Sequence, residues 1–163
     1  MHRETAGSIV TPEPATTPTD PRLSAAMPDT DMAELASDEY ALFASVARIR
    51  RVYAGESLFR RGDLGTTMYV VASGMVELDF GEDLVSKSLG PREFFGELGL
   101  LIGDHARSAD ASAITDGELL ELRHEEFQRL VERSPELISH FLRRAIMRVV
   151  LNEQALIRRL RRR

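Results

Sequence analysis

Hydrophobic positions change their period twice along this chain. Over residues 31–47 they recur at helical spacing, at Met32, Leu35, Tyr40, Phe43 and Val46, which predicts one or two short helices with Ser37 or Asp38 as the cap. From Ile49 to Leu122 the period falls to two, and turn residues recur every eight to twelve positions. Candidate strands are Ile49 to Tyr53, Glu56 to Arg60, Met68 to Ala72, Met75 to Phe80, Leu84 to Leu89, Ser108 to Ala113 and Gly117 to Leu122. Turns at Ala54-Gly55, Gly62-Asp63, Ser73-Gly74, Gly81-Glu82, Gly90-Pro91 and Asp116-Gly117 separate them. Seven or eight short strands at this rhythm predict a double-sheet jelly roll, small enough to close round its own side chains or one small ligand.

Beyond Leu122 the helical period returns. His124 to Arg133 reads as a helix with Phe127, Leu130 and Val131 inward. Ser134 as N-cap and Pro135 at the first helical position start another, which no Gly or Pro interrupts before the end of the chain. It carries two apolar stripes. Ile138, Leu142, Ala145, Val149, Asn152 and Leu156 follow a 4-3-4-3-4 spacing, a seam with one polar residue. Leu137, Phe141, Ile146 and Val150 form the other, set to face the barrel. Two apolar faces need two partners, so the seam predicts a parallel homodimer through this helix. The expected fold class is α+β: a double-stranded β-helix with short N-terminal helices and two C-terminal ones, the last long from about residue 135.

One insert, residues 96–107, divides the two β-halves. The stretch around it, Glu93 to Ala111, starts from an aromatic strand end, Phe94-Phe95, followed by Gly96, a lone carboxylate at Glu97 and a short apolar turn over 98–102. Gly103-Asp104 breaks the turn, and Arg107 follows with small neighbours, Ser108 and Ala109. A short helix start with free N–H groups, one Arg and small residues beside it make an anion site for a single phosphate. Glu97 is acceptor-only and suits a neighbouring hydroxyl, such as that of a ribose.

At these residues the chain resembles a known family. Phe95-Gly96-Glu97-Leu98-Gly99-Leu100, followed by Arg107-Ser108-Ala109 with Arg ten residues after the Glu, is similar to the phosphate-binding cassette of cyclic-nucleotide-binding domains, closest to the bacterial catabolite-activator type. The upstream stretch from Arg61 to Gly74 resembles that family's glycine-punctuated early strands, and the likeness spans residues 40–155 or so. The resemblance implies Arg107 on the cyclic phosphate, with Ser108 and Ala109 beside it, and Glu97 on the ribose 2′-hydroxyl. Gly96 and Leu98 would supply backbone groups near the sugar. Asn152 falls where the family's last helix closes over the purine, so it is either a base contact or the polar residue of the seam. The implied ligand is cAMP, with cGMP as the alternative. Two residues depart from the family's pattern: Ala106 stands where Pro is common, and Asp110 is placed to compete for Arg107 or repel the phosphate.

Composition narrows the rest. There is no Cys, which excludes thiolate nucleophiles, disulfides and Cys-ligated metals. The four His form no metal spacing and no nucleophile–base pair stands out, so neither an enzyme nor a cofactor is expected. Five of the seven prolines lie in residues 1–30, with Thr and Asp between them, which predicts a disordered tail ahead of a binding domain over 31–163. No apolar segment follows Met-His-Arg-Glu and no run is long enough for a bilayer, so a cytoplasmic protein without membrane partners is expected. Residues 1–142 carry 13 basic and 25 acidic side chains, while 143–163 carry eight Arg and one Glu. The acidic body disfavours nucleic acid, and the sequence offers no helix to read bases behind the arginines. The expected function is a cyclic-nucleotide sensor without a DNA-binding domain of its own, acting on an unknown effector. The alternatives are a ligand-independent dimerisation domain of the same fold and a regulatory piece of a transcription factor.

Overall fold

A computed structural model describes residues 34–81, 85–102 and 105–162, and for residues 152, 153, 155, 156, 159 and 160 the backbone alone. The proline-rich tail, Met32, Leu84 and the Gly103-Asp104 break lie outside the described residues. The elements run α1 (Ser37–Val46), β1 (Arg48–Val52), β2 (Ser57–Phe59), β3 (Met68–Ser73), β4 (Val76–Asp79), β5 (Lys87–Leu89), β6 (Phe94–Phe95), α2 (Glu97–Leu101), β7 (Asp110–Ala113), β8 (Gly117–Leu122), α3 (His124–Arg133) and α4 (Pro135–Arg161). Two four-stranded sheets, ordered β1-β8-β3-β6 and β2-β7-β4-β5, pair antiparallel throughout. This is the expected jelly roll with its C-terminal helices.

Strands β8, β3 and β6 of the first sheet are buried on both faces, while β1 is largely exposed, and period-two alternation sorts their side chains. Met68 and Val70 of β3, Leu120 and Leu122 of β8, and Phe94 of β6 point outward into a core shared with the helices. Tyr69, Val71, Leu119 and Phe95 point the other way, into the roll. Double burial is why Met68-Tyr69-Val70-Val71 reads as a continuous apolar run rather than an alternating one. Consecutive phenylalanines on β6 thus serve different cores, one under the helices and one inside the barrel.

The helices are fastened to that outer core by one ring. Phe141 of α4 meets Phe43 of α1 at 5.1 Å, Phe94 at 5.0 Å and Phe127 of α3 at 6.2 Å, all edge-to-face. Charges reinforce the arrangement. Arg144 of α4 donates to Glu39 of α1 at 2.6 Å, and the same Glu39 carboxylate accepts from the Ala36 N–H at 3.0 Å.

Three expectations change here. The N-cap of α1 is Ala36, not Ser37 or Asp38. Glu39 reaches back to the Ala36 N–H, and the N–H of Glu39 that a cap side chain would otherwise take is accepted by Asp38 Oδ1 at 2.9 Å, while the Ser37 hydroxyl accepts from Arg92 at 3.1 Å. Val131 is exposed, while Phe127 and Leu130 turn inward. The faces of α4 are also reassigned. Ile138, Phe141, Ala145 and Arg148 are buried on the body, so the expected seam gives Ile138 and Ala145 to the chain's own core, with Leu142 packed partly buried against it. Ile146 and Val150, expected on the barrel, are exposed. Both stripes repeat at helical period and lie side by side, so their spacing alone does not choose which one docks.

Because Phe141 joins three elements at once, Phe141→Ala is expected to cost about 3–5 kcal/mol. Urea denaturation of the two proteins measures it, and a loss well below that range would show that the helices are held mainly by their ion pairs.

Candidate functional site

Where β6 ends, Gly96 takes a left-handed conformation (φ 75°) and turns the chain into α2. A side chain there would be strained and would also sit 2.8 Å from Arg107 Nη1. Two more glycines crowd the same guanidinium. A Cβ on Gly65 would lie 2.2 Å from Arg107 Nε, and one on Gly99 would lie 2.9 Å from Nη1 and 2.2 Å from the Gly65 carbonyl oxygen. Two chain segments, one at Gly65 and one from Gly96 to Gly99, therefore close on one cation, and only glycine leaves it room.

Arg107 is 7 % exposed. Nη1 donates to the Gly96 carbonyl at 2.9 Å and Nη2 to the Thr67 carbonyl at 2.7 Å. Its carbon centre lies 4.4 Å over the Phe59 ring, itself stacked on Tyr69. Backbone bonds from Arg107 N–H to Asp63 and from Gly62 N–H to Arg107, each 2.8 Å, fix the segment. Among the described residues no carboxylate pairs with it, and Nε is buried without a hydrogen-bond partner. Burial lowers its pKa, opposed by Tyr69, Glu97 and Asp63. A buried guanidinium hydrogen-bonded only to neutral carbonyls, with carboxylates acting on it only from a distance, is an unpaired charge. Its surroundings fit an anion.

Glu97, the first residue of α2, is also buried. Its Oε1 lies 3.5 Å from Nη1 of Arg148, and both side chains are more than nine-tenths hidden. Arg148 donates to the Phe94 carbonyl at 2.8 Å and covers the Phe94 ring. The carboxylate of the cassette is therefore paired with a residue of α4.

Gly96, Glu97, Leu98, Arg107, Ser108 and Ala109 come together on the lining of one pocket. Asn152 lies on α4, one turn beyond Arg148, and its side chain is outside the described residues. Sequence reasoning missed Phe59, Leu78 and Phe80, which form an apolar wall, together with His105, Arg148 and Val149. A signal for Arg148 was present: it continues the buried stripe Ile138, Phe141, Ala145 at 3-4-3 spacing. A charge on a helix's docking face has a partner there more often than not.

The two departures have local explanations. Asp110 begins β7, where Ala111 points into the roll and Asp110 points out. Its Oδ1 accepts from the Arg61 N–H at 2.6 Å, so it does not compete for Arg107. Ala106 bridges to Leu64, so backbone pairing restrains the segment in place of Pro.

The family model of the cyclic nucleotide-binding domain matches residues 49–134. The chain belongs to that family. The family is a regulatory binding domain, and most of the pocket's lining falls within the matched residues. A cyclic AMP receptor protein of Thermus thermophilus is 41 % identical over 112 residues, 66 % of this chain and 51 % of that one. A cyclic nucleotide-gated potassium channel of Mesorhizobium japonicum is 39 % identical over 101 residues, 62 % of this chain but 27 % of the channel. Among solved structures, one described under a cyclic-GMP-dependent signalling pathway that regulates bacterial phytopathogenesis superposes with TM-score 0.71 and 58 % identity, covering 72 % of this chain and 96 % of that one. The chain thus spans about half, or less, of the length of these curated relatives. Among the described residues no helix is long and apolar enough to cross a membrane.

Gly99 makes the tightest backbone approach of the site, so Gly99→Ala must push α2 away from the loop at Gly65. Overpacking of this kind costs about 1–3 kcal/mol, and thermal melting of the variant is expected to show the loss. A melting temperature equal to that of the parent protein would mean the two segments are loosely packed.

Proposed function

We propose that this domain senses a 3′,5′-cyclic purine nucleotide, with cGMP bound more tightly than cAMP. The observation that carries the reading is Arg107, buried among glycines with no counter-ion among the described residues. One cyclic phosphate has one negative charge, and one guanidinium matches it. In this reading Ser108 and Ala109 flank the phosphate, Glu97 accepts from the ribose 2′-hydroxyl, and Gly96 and Leu98 lie along the sugar. The apolar wall of Phe59, Leu78 and Phe80 and Asn152 are left for the purine. The preference for cGMP departs from the cAMP expected by resemblance to catabolite activators. It rests on the 58 % identity to the protein of the cyclic-GMP-dependent pathway, against 41 % to the cyclic AMP receptor.

Output runs through α4. Arg148 ties that helix to Glu97, so a hydroxyl arriving at Glu97 rearranges a contact of α4 itself. The exposed apolar residues Ile146, Met147, Val150 and Ile157 line the solvent side of the same helix and fit a second copy of the chain. This is a homodimer face one stripe round from the seam read in the sequence. The effector is a separate partner or a further domain.

Titration calorimetry with cAMP, cGMP and cyclic dinucleotides tests the ligand. Removing a buried charge partner costs about 2–5 kcal/mol, so Arg107→Ala is expected to weaken cGMP binding by about thirtyfold or more while the domain stays folded. Unchanged affinity in that variant would refute the assignment. For the dimer, sedimentation of the double variant Ile146→Glu, Val150→Glu is expected to give a monomer that still binds ligand; a dimer unaffected by both charges would exclude this face.

A further inference from the structure

Arg148 is anchored between two carboxylates of one short stretch of chain. Its Nη1 donates to the Phe94 carbonyl at 2.8 Å and lies 3.5 Å from Glu97 Oε1. Glu97 opens α2 just after β6, and Glu93 directly precedes β6. Glu93 is half-buried, and among the described residues nothing hydrogen-bonds to its buried Oε2. Its backbone is fixed on both sides, the carbonyl by the Val71 N–H at 2.9 Å and the N–H by the Gly90 carbonyl at 3.1 Å. A desolvated carboxylate oxygen held in place without a partner is unfavourable.

Two charged side chains act on Glu93, Glu34 and Arg148. Glu34 faces it across a backbone bridge, and its carboxylate is held by Arg92. Arg92 also donates to the Ser37 hydroxyl, so it is committed to the segment at the start of α1. Burial raises the Glu93 pKa; the Gly90 backbone opposes that, Glu34 reinforces it and Arg148 opposes it. The pull of Arg148 thus reaches Glu93 while its hydrogen bond goes to Phe94 and its ion pair to Glu97.

We infer that Glu93 is a positioning residue for the hydroxyl side of the pocket: when a ligand hydroxyl claims Glu97, Arg148 turns about its Phe94 anchor toward Glu93. One guanidinium then has two alternative carboxylates, and the Phe94 carbonyl between them holds it during the exchange. Glu93 touches no ligand atom and acts through Arg148. Without it, releasing Glu97 to the ligand would leave a buried cation unpaired, and that penalty would fall on binding. The exchange serves a ligand with a free 2′-hydroxyl, so the inference rests on the proposed cyclic-nucleotide reading.

The test is titration calorimetry with cGMP and 2′-deoxy-cGMP on wild type and Glu93→Gln, with thermal melting of both ligand-free proteins. The deoxy ligand leaves Glu97 with Arg148, so it asks nothing of Glu93. Glu93→Gln keeps the shape of the side chain and removes its charge. It is expected to weaken cGMP roughly fivefold to tenfold, the size of coupling within one charge network, and to change 2′-deoxy-cGMP by less than about twofold. Ligand-free melting is expected to stay the same or rise, because an unpaired carboxylate has been removed. Equal losses for the two ligands, or no loss for either, overturn this inference alone. Wild-type protein that binds both ligands equally overturns the contact between Glu97 and the ribose hydroxyl, and this inference with it. Wild-type protein that binds neither overturns the reading of the whole pocket.

Discussion

A guanidinium buried with no ion-pair partner among the described residues sets the terms for the rest of this structure. Desolvating Arg107 is unfavourable, and two neutral carbonyls and an aromatic face offset part of that cost. The domain tolerates the remainder because the three glycines around the group hold it in place by shape. A larger residue at any of them would clash with the guanidinium or the backbone beside it and spoil the site for an anion. Stability is given up where a site needs a preorganised charge.

The second dependence is geometric. β6 has only two residues, yet it faces both cores. Phe95 packs inside the roll with Tyr69 and Phe59, the ring under Arg107. Phe94 packs under Phe141 of α4, and its carbonyl takes the Arg148 N–H. Glu97 follows two residues later. The same short segment thus touches the anion side of the pocket, the carboxylate side and the long helix, so a shift of β6 and α2 reaches α4 without an intermediate element. Packed cores of this kind move between discrete arrangements rather than bending continuously.

Much of this was legible in the sequence, for identifiable reasons. Strand period, turn glycines and the Ser134-Pro135 helix start are local, and all reappear in the structure. The cassette was readable because its residues are contiguous and chemically unlike their neighbours. What the sequence hid depends on which neighbour a face meets. Two adjacent stripes on α4 have the same period, and only the shape of the body selects the one through Ile138, Phe141 and Ala145. Arg148 was lost among the other arginines of that segment, though its place on the buried stripe marked it. Asp110 was misjudged because distance in sequence was read as distance in space, whereas β7 begins at Asp110 and turns its carboxylate outward to the Arg61 N–H.

The Arg148–Glu97 pair also limits how strongly a ligand can act on α4. A ligand shifts a two-state equilibrium only by the difference in its affinity for the two states. If Glu97 were free, a ribose hydroxyl would bind it equally well whatever the position of α4, and occupancy would carry no information to the helix. Because Glu97 is already held by α4, a hydroxyl binding there as proposed would have to share or displace that contact, and its binding energy would then depend on where the helix lies. The coupling is therefore bounded by the strength of one buried ion pair and by what replaces it at Arg148. The nearest replacement is the Phe94 carbonyl, which Arg148 already holds, so the arginine need not return to solvent when Glu97 turns to the ligand.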